Sequence, residues 1–216
     1  MLKKLLIAAA LSLGALDAQA AAAPAGATTA AVAPDQIVRD TTEHMRDLIR
    51  QNHDKYVAHQ DEFYKVVDEV LVPRFDVKAI TQSVLGRNSR AASDDQKKRF
   101  ADAFKLMLIR SYADTLLQNY DSVKADWQPL RLTPEMTDAT VHATLMRSQG
   151  QPVQLGFSMH QVDGDWKVYD VTVEAISLVA NFRSQINSEI KRTSLDDLIA
   201  RMEKGESFKP NTQTGS

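Results

Sequence analysis

Cysteine is absent from the 216 residues, which removes disulfides, thiol nucleophiles and thiolate metal sites in one stroke. Glycine and proline are scarce, at 8 and 7 residues, so no Gly-rich phosphate loop and no Pro-rich recognition tract can be written from them. The patterns G-x-S-x-G, H-E-x-x-H and C-x-x-C do not occur, and no two of the five histidines stand four residues apart, as a helix-borne zinc pair requires. This reading assigns no catalytic residue, no metal site and no cofactor. Basic residues are not in excess, 26 against 28 acidic ones, and no polybasic tract marks a nucleic-acid or anionic-lipid surface. Long apolar runs are missing too. The longest opens the chain, Leu5 to Leu16, and it falls short of the roughly 20 residues a membrane-spanning helix needs.

That run has the flanks of an export signal. Lys3 and Lys4 precede it and Ala18-Gln19-Ala20 follows, the order of basic start, short apolar stretch and small-residue cleavage site. Residues 1–20 are therefore expected to be a cleavable signal peptide, leaving a soluble, exported, monomeric product beginning near Ala21. With Lys3, Lys4 and Asp17 removed, the charged residues fall to 24 basic and 27 acidic. Residues 21–34 read as a flexible Ala/Pro/Thr leader, residues 35–205 as one domain, and residues 206–216 as a disordered polar tail.

Within the domain the hydrophobic period changes twice. Ile37, Val38, Thr41, Met45, Leu48 and Ile49 recur at helical spacing behind Pro34-Asp35. Asp61 is the expected cap of a second helix that Pro73 ends, and Asp76 that of a short third helix closed by Gly86. Ser93-Asp94-Asp95-Gln96 has the form of a capping box. It predicts a long helix to about Asn119, with Phe100, Phe104, Met107, Leu108, Tyr112 and Leu116 on its apolar face. Four strands are then expected: Trp127–Leu132, Thr140–Arg147, Val153–Val162 and Trp166–Val173. The second and third alternate with period two, and Gln149-Gly150 and Asp163-Gly164 stand where hairpin turns are needed. In the fourth, Trp166 and Val168 point one way and Tyr169, Val171 and Val173 the other, as if both faces were covered. His142 and His160 are expected to face solvent. Helix returns with Leu178, Val179, Phe182, Ile186 and Ile190, then with Leu195, Leu198, Ile199 and Met202 behind Ser194. The class is α+β: a curved antiparallel four-stranded meander, an NTF2-like cone, wrapped by helices before and after it. Periodicity alone leaves open whether the apolar faces close on one another or enclose a hollow.

Residues 166–185 carry more specific information. Trp166, Tyr169-Asp170, Glu174, Ile176-Ser177-Leu178, Asn181 and Arg183-Ser184-Gln185 together resemble the signature of the MlaC and toluene-tolerance Ttg2D family of periplasmic phospholipid-binding proteins. Val72-Pro73-Arg74-Phe75-Asp76, Leu85-Gly86 and the stretch from Phe100 to Tyr112 are similar to that family as well. One departure is Ala175, where the family usually has Gly; a positive φ there would strain an alanine.

The resemblance implies a deep apolar cavity that takes the acyl chains of a phospholipid and leaves the head group at the mouth. It implies two partners: an inner-membrane ABC transporter bearing an MCE-domain ring, and an outer-membrane lipoprotein–porin complex. Lipid would pass between them to maintain outer-membrane asymmetry. It also implies that Tyr112, Val153 and Ile176 line the cavity. Around them, parity and helical spacing nominate Leu108, Leu116, Leu155, Phe157, Val171 and Val173. Trp166, Asp170, Glu174 and Ser177 are read as structural, and Arg183 and Lys167 as contacts at the mouth, with no Arg/Lys cluster foreseen for the head group. Two rival readings remain at this point. One is a cone-fold enzyme on a small apolar substrate, with Tyr112, Tyr169 and Asp170 at its centre. The other is a ligand-free envelope adaptor whose apolar faces simply pack together.

Overall fold

The computed structural model describes residues 32–133, 135–147 and 150–206. The expected signal peptide, nearly all of the leader and the tail from residue 207 onward lie outside them. Seven helices and five strands follow in the order α1 (Pro34–Ala58), α2 (Gln60–Val70), α3 (Val77–Leu85), α4 (Asn88–Ala91), α5 (Asp94–Asn119), β1 (Val123–Trp127), β2 (Asp138–Arg147), β3 (Val153–Val162), β4 (Asp165–Val173), β5 (Ile176–Ser177), α6 (Leu178–Arg192) and α7 (Leu195–Glu203), with a 3-10 turn at Val72–Arg74 between α2 and α3. Among the described residues no helix is long and apolar enough to cross a membrane.

The helix starts follow from their caps. Asp76 Oδ1 accepts from the Ala79 amide at 2.8 Å, Ser93 and Gln96 complete the reciprocal capping box of α5, and the Ser177 and Ser194 hydroxyls accept from Ala180 and Asp197. Asp61 does not cap α2. The helix begins two residues earlier, at Gln60 behind His59, and Asp61 lies inside its first turn, where its carboxylate meets the positive end of the helix dipole. The first strand also differs from expectation, running Val123–Trp127 instead of Trp127–Leu132. Its ladder ends just beyond Trp127, where Gln128 donates to His142 O at 3.0 Å; Pro129 has no amide to continue it.

The sheet is an antiparallel meander in the order β1-β2-β3-β4-β5, so it has five strands, the fifth only two residues long. Directly opposed residues share a face. Leu145 faces Val153, Ala143 faces Leu155 and Val141 faces Phe157, while Val173 and Val171 of β4 face Leu155 and Phe157. The parity change in β4 comes from a bulge. Ser158 faces Asp170 but Met159 faces Val168, so Tyr169 is the extra residue. The bulge brings Trp166, Val168, Val171 and Val173 onto one face, and Tyr169 turns to the other, where its ring lies 4.8 Å from that of His160. His160 is half-buried there and bonded to Asp76 Oδ2 at 2.9 Å, contrary to the solvent-facing position expected of it; His142 is exposed. Phe75 bridges to Val168 in parallel, so Val72–Asp76 ties the helices to the open edge of β4.

Two hairpins are tight. Asp163 and Gly164 join β3 to β4 with φ values of 53° and 89°, and Glu174 and Ala175 join β4 to β5 with φ values of 50° and 63°. Both have the positive-φ pair of a type I′ turn. The strain anticipated at Ala175 is present: a left-handed alanine costs about 1–2 kcal/mol. Ala175→Gly is expected to raise the unfolding free energy by about 1 kcal/mol, measured by urea titration of lipid-free protein. A neutral or destabilising result would mean that the turn is held by contacts that the alanine methyl makes.

The core has three parts. Phe100, Phe104 and Met107 of α5 pack with Val84, Leu85, Phe182, Ile186, Leu198 and Ile199 of α3, α6 and α7. Ile109, Ala113 and Leu117 of α5 pack with Met45, Ile49, Tyr56, Phe63 and Val67 of α1 and α2. Val38 joins Val141, Met159, Trp166 and Val168 beneath the sheet. The buried face of α5 therefore turns along its length. Its second half buries Ile109, Ala113 and Leu117, not the expected Leu108, Tyr112 and Leu116, because different helices cover its two ends.

Candidate functional site

The five-stranded sheet and the helices do not close completely. A cavity of about 640 Å³ lies between α1, the second half of α5, the Val72–Arg74 turn region and the inner face of the sheet. Helix α1 supplies Ile37, Val38, Thr41, Thr42, Met45, Arg46 and Ile49, a stripe at the i, i+4, i+8, i+12 spacing that sets one side of a helix against a surface. The sheet supplies Ala125, Trp127, Leu145, Leu155, Phe157 and Val168 from the face defined above, with Arg147 at its margin. Helix α5 adds Thr115, Leu116 and Asn119, with Tyr120 behind it, and the turn region adds Leu71, Arg74 and Phe75.

Most of this lining is hydrocarbon. Some of its polar groups are already engaged: the Thr42 hydroxyl donates to Val38 O at 2.7 Å, which leaves its methyl to the cavity. The Trp127 and Phe157 rings lie 6.2 Å apart, and the Arg39 guanidinium sits 5.6 Å from the Trp127 ring centroid, covering the indole from outside the cavity lining. Such a volume, mostly apolar with a few polar groups, suits a ligand with long hydrocarbon parts. A ligand-free adaptor requires the apolar faces to pack against one another. Here the sheet face and α1 leave room between them.

Of the residues nominated from the sequence, Leu116, Leu155 and Phe157 line this cavity. Leu108, Tyr112, Val153, Val171, Val173 and Ile176 are not in its lining, and all six are half-buried. Leu108 packs against the α3/α6/α7 core and Val171 against the cluster beneath the sheet. Val173 and Ile176 face each other across the Glu174-Ala175 turn. Burial holds the Tyr112 phenol above its ordinary pKa, so it stays protonated at neutral pH, as an unperturbed tyrosine also does.

The other enzyme candidates have structural partners. Asp170 Oδ1 accepts from the Val179 amide at 3.1 Å, and Tyr169 packs on His160 outside the cavity lining. Trp166 is buried, Glu174 accepts from the Gln154 amide, and Ser177 caps α6, so the strand-to-helix corner is held as read. The proposed mouth contacts are elsewhere. Arg183 Nε donates to Ser83 O at 2.7 Å and Lys167 Nζ to Pro73 O at 2.6 Å, and neither lines the cavity.

Sequence reasoning missed the α1 wall as a wall, and it missed the cationic groups. Arg46, Arg74 and Arg147 are the charged residues of the lining. They are dispersed along the chain, and only the fold assembles them. The signal for α1 was present in the spacing of Val38, Met45 and Ile49, but that spacing is the same whether a face meets packed side chains or a hollow.

Comparison with known proteins gives this geometry a context. The sequence model of the MlaC protein family matches residues 39–204. A toluene tolerance protein, Ttg2D of Pseudomonas putida, is 27% identical over 174 residues, covering 78% of each chain. An intermembrane phospholipid transport system binding protein, MlaC of Haemophilus influenzae, is 20% identical over 181 residues, 82% of this chain and 84% of that one. Among solved structures, the phospholipid-binding protein of Ralstonia solanacearum, determined in complex with a phospholipid, superposes with a TM-score of 0.71 at 27% identity. The match covers 79% of this chain and 95% of that one.

Proposed function

This chain belongs to the MlaC protein family, and from that premise we propose that it is a periplasmic phospholipid carrier that holds acyl chains in the cavity between α1, α5 and the sheet. The observation that carries the reading is the cavity itself: about 640 Å³ lined mainly by hydrocarbon, in a fold shared with a protein solved with phospholipid bound. Each acyl methylene moved out of water is worth about 0.8 kcal/mol. A lipid with about 28 methylenes therefore meets a barrier of roughly 20 kcal/mol to crossing an aqueous gap unaided. A carrier lowers that barrier by exchanging one apolar setting for another. It needs no nucleophile, metal or cofactor.

Residues 1–20 act as the export signal in this reading and are removed after secretion. The loaded protein travels between an outer-membrane lipoprotein–porin complex and an inner-membrane ABC transporter with an MCE-domain ring. The direction consistent with maintaining outer-membrane asymmetry is inward. Two of the relatives reported above are named as a phospholipid transport system binding protein and a phospholipid-binding protein, which agrees with a mechanism in which no covalent bond changes.

Native mass spectrometry of mature protein purified from periplasm without detergent tests the proposal. The expected result is a mass excess equal to phospholipid, released as intact lipid on denaturation. A clean apo mass that stays apo after incubation with phospholipid vesicles would overturn it.

A further inference from the structure

Among the described residues, the charged side chains that line the cavity are all arginines: Arg46 from α1, Arg74 from the 3-10 turn and Arg147 from the end of β2. Among the described residues no Asp, Glu or Lys lines it, although acidic residues outnumber basic ones in the chain as a whole. We propose that these three guanidinium groups form an anion-binding rim that receives the phosphodiester of the lipid head group and favours lipids of net negative charge. This inference rests on the carrier reading and adds head-group selection to it.

The placement suits that role. Arg74 and Arg147 are exposed while the lining between them is mainly apolar, so the cations stand where the hydrocarbon surface meets water. Arg46 is half-buried, and its Nε donates to Tyr120 O just past the end of α5 at 3.2 Å. That contact fixes its guanidinium at one end of the cavity. Arg147 is brought to the same end by its pairing with Val123, which follows Tyr120 by three residues. Among the described residues, the side chains of Arg74 and Arg147 form no hydrogen bond or ion pair. By contrast Asp47, next to Arg46 on α1, is engaged by Arg50 at 2.9 Å, and Arg50 also reaches Asp121 at 3.6 Å. These two carboxylates are thus answered by Arg50, outside the lining.

Guanidinium groups match phosphate oxygens in geometry as well as charge. A zwitterionic head group offers the same phosphodiester but adds an ammonium, which meets three cations and no carboxylate in the lining. A glycerol head group adds no charge. Exposed pairs are weak singly, so the rim selects among lipids while the apolar cavity supplies the affinity.

The test loads delipidated wild-type protein from vesicles of phosphatidylglycerol and phosphatidylethanolamine, equimolar and with matched acyl chains, and reads the bound ratio by native mass spectrometry. Wild type is expected to favour phosphatidylglycerol about fivefold, in keeping with a few partly exposed charge contacts, and the preference should shrink with added salt. In R74Q/R147Q the ratio falls to near one, while R74K/R147K, which keeps the charge, retains a preference. The ratio is the readout, so a change in the total amount bound does not decide the matter. An even ratio in wild type, or an unchanged preference in the glutamine variant, would overturn the head-group rim. No lipid captured from either component would overturn the carrier reading with it. Titration of lipid-free protein with inorganic phosphate separates the remaining source of the same chemistry. Saturable phosphate binding, lost in R74Q/R147Q and accompanied by an even lipid ratio, would assign the arginines to a free anion and overturn their assignment to lipid.

Discussion

Replacing Leu155 by Asp is expected to empty the protein of phospholipid while leaving it folded. Leu155 is the third residue of β3, facing Ala143 on one side and Val173 on the other, and its side chain lines the cavity while remaining half-buried. In the lipid-free protein an aspartate there can be hydrated within the cavity, so folding tolerates it. With acyl chains in place it loses that water, and an unpaired carboxylate in hydrocarbon costs several kcal/mol. Occupancy at a fixed lipid concentration should therefore drop at least tenfold, since about 1.4 kcal/mol is a factor of ten. Native mass spectrometry measures occupancy, and circular dichroism with a thermal melt measures folding. Full occupancy in a folded Leu155→Asp protein would mean that acyl chains lie elsewhere.

Phe100→Ala should do the opposite, damaging the fold at a site remote from cargo. Phe100 is fully buried, its ring stacked 5.5 Å from that of Phe104, and Phe104 meets Phe182 edge-on at 5.1 Å. Truncating an aromatic side chain in such packing costs about 3–5 kcal/mol. For a domain of this size that lowers the melting temperature by about 10 °C. The comparison belongs in lipid-free protein, because bound lipid stabilises the native state by mass action and would mask part of the loss. A cost under about 1 kcal/mol would show that this part of the molecule is as loosely filled as the cavity.

These two outcomes bear on what a sequence can disclose. Local chemistry was legible. The Ser93–Gln96 box, the Asp76 cap and the Asp163-Gly164 turn each depend on residues close in the chain, and each stands where it was read. The α+β order and the strand alternation were legible for the same reason. Reading failed where a distant partner decides the outcome. The split face of α5 depends on α3, α6 and α7 covering one end and α1 and α2 the other. The bulge at Tyr169 depends on register with β3. His160 looked like an ordinary exposed strand residue until the Val72–Asp76 segment placed Asp76 against it.

The site shows the same division. Leu116, Leu155 and Phe157 could be nominated from the period of their own elements. The α1 residues that face them could be assigned to an apolar face but not to a hollow. The three arginines carried no local pattern at all, being 28 and 73 residues apart in sequence.

Helix α5 serves two unlike neighbourhoods at once. Its first half is gripped by the close-packed aromatic and aliphatic cluster of α3, α6 and α7, and its second half borders the cavity. A vessel that must be filled and emptied many times needs walls that keep their form between loads. Anchoring one end of a single long helix in a closed core gives the hollow end a fixed frame, so that surrendering a passenger does not mean surrendering shape.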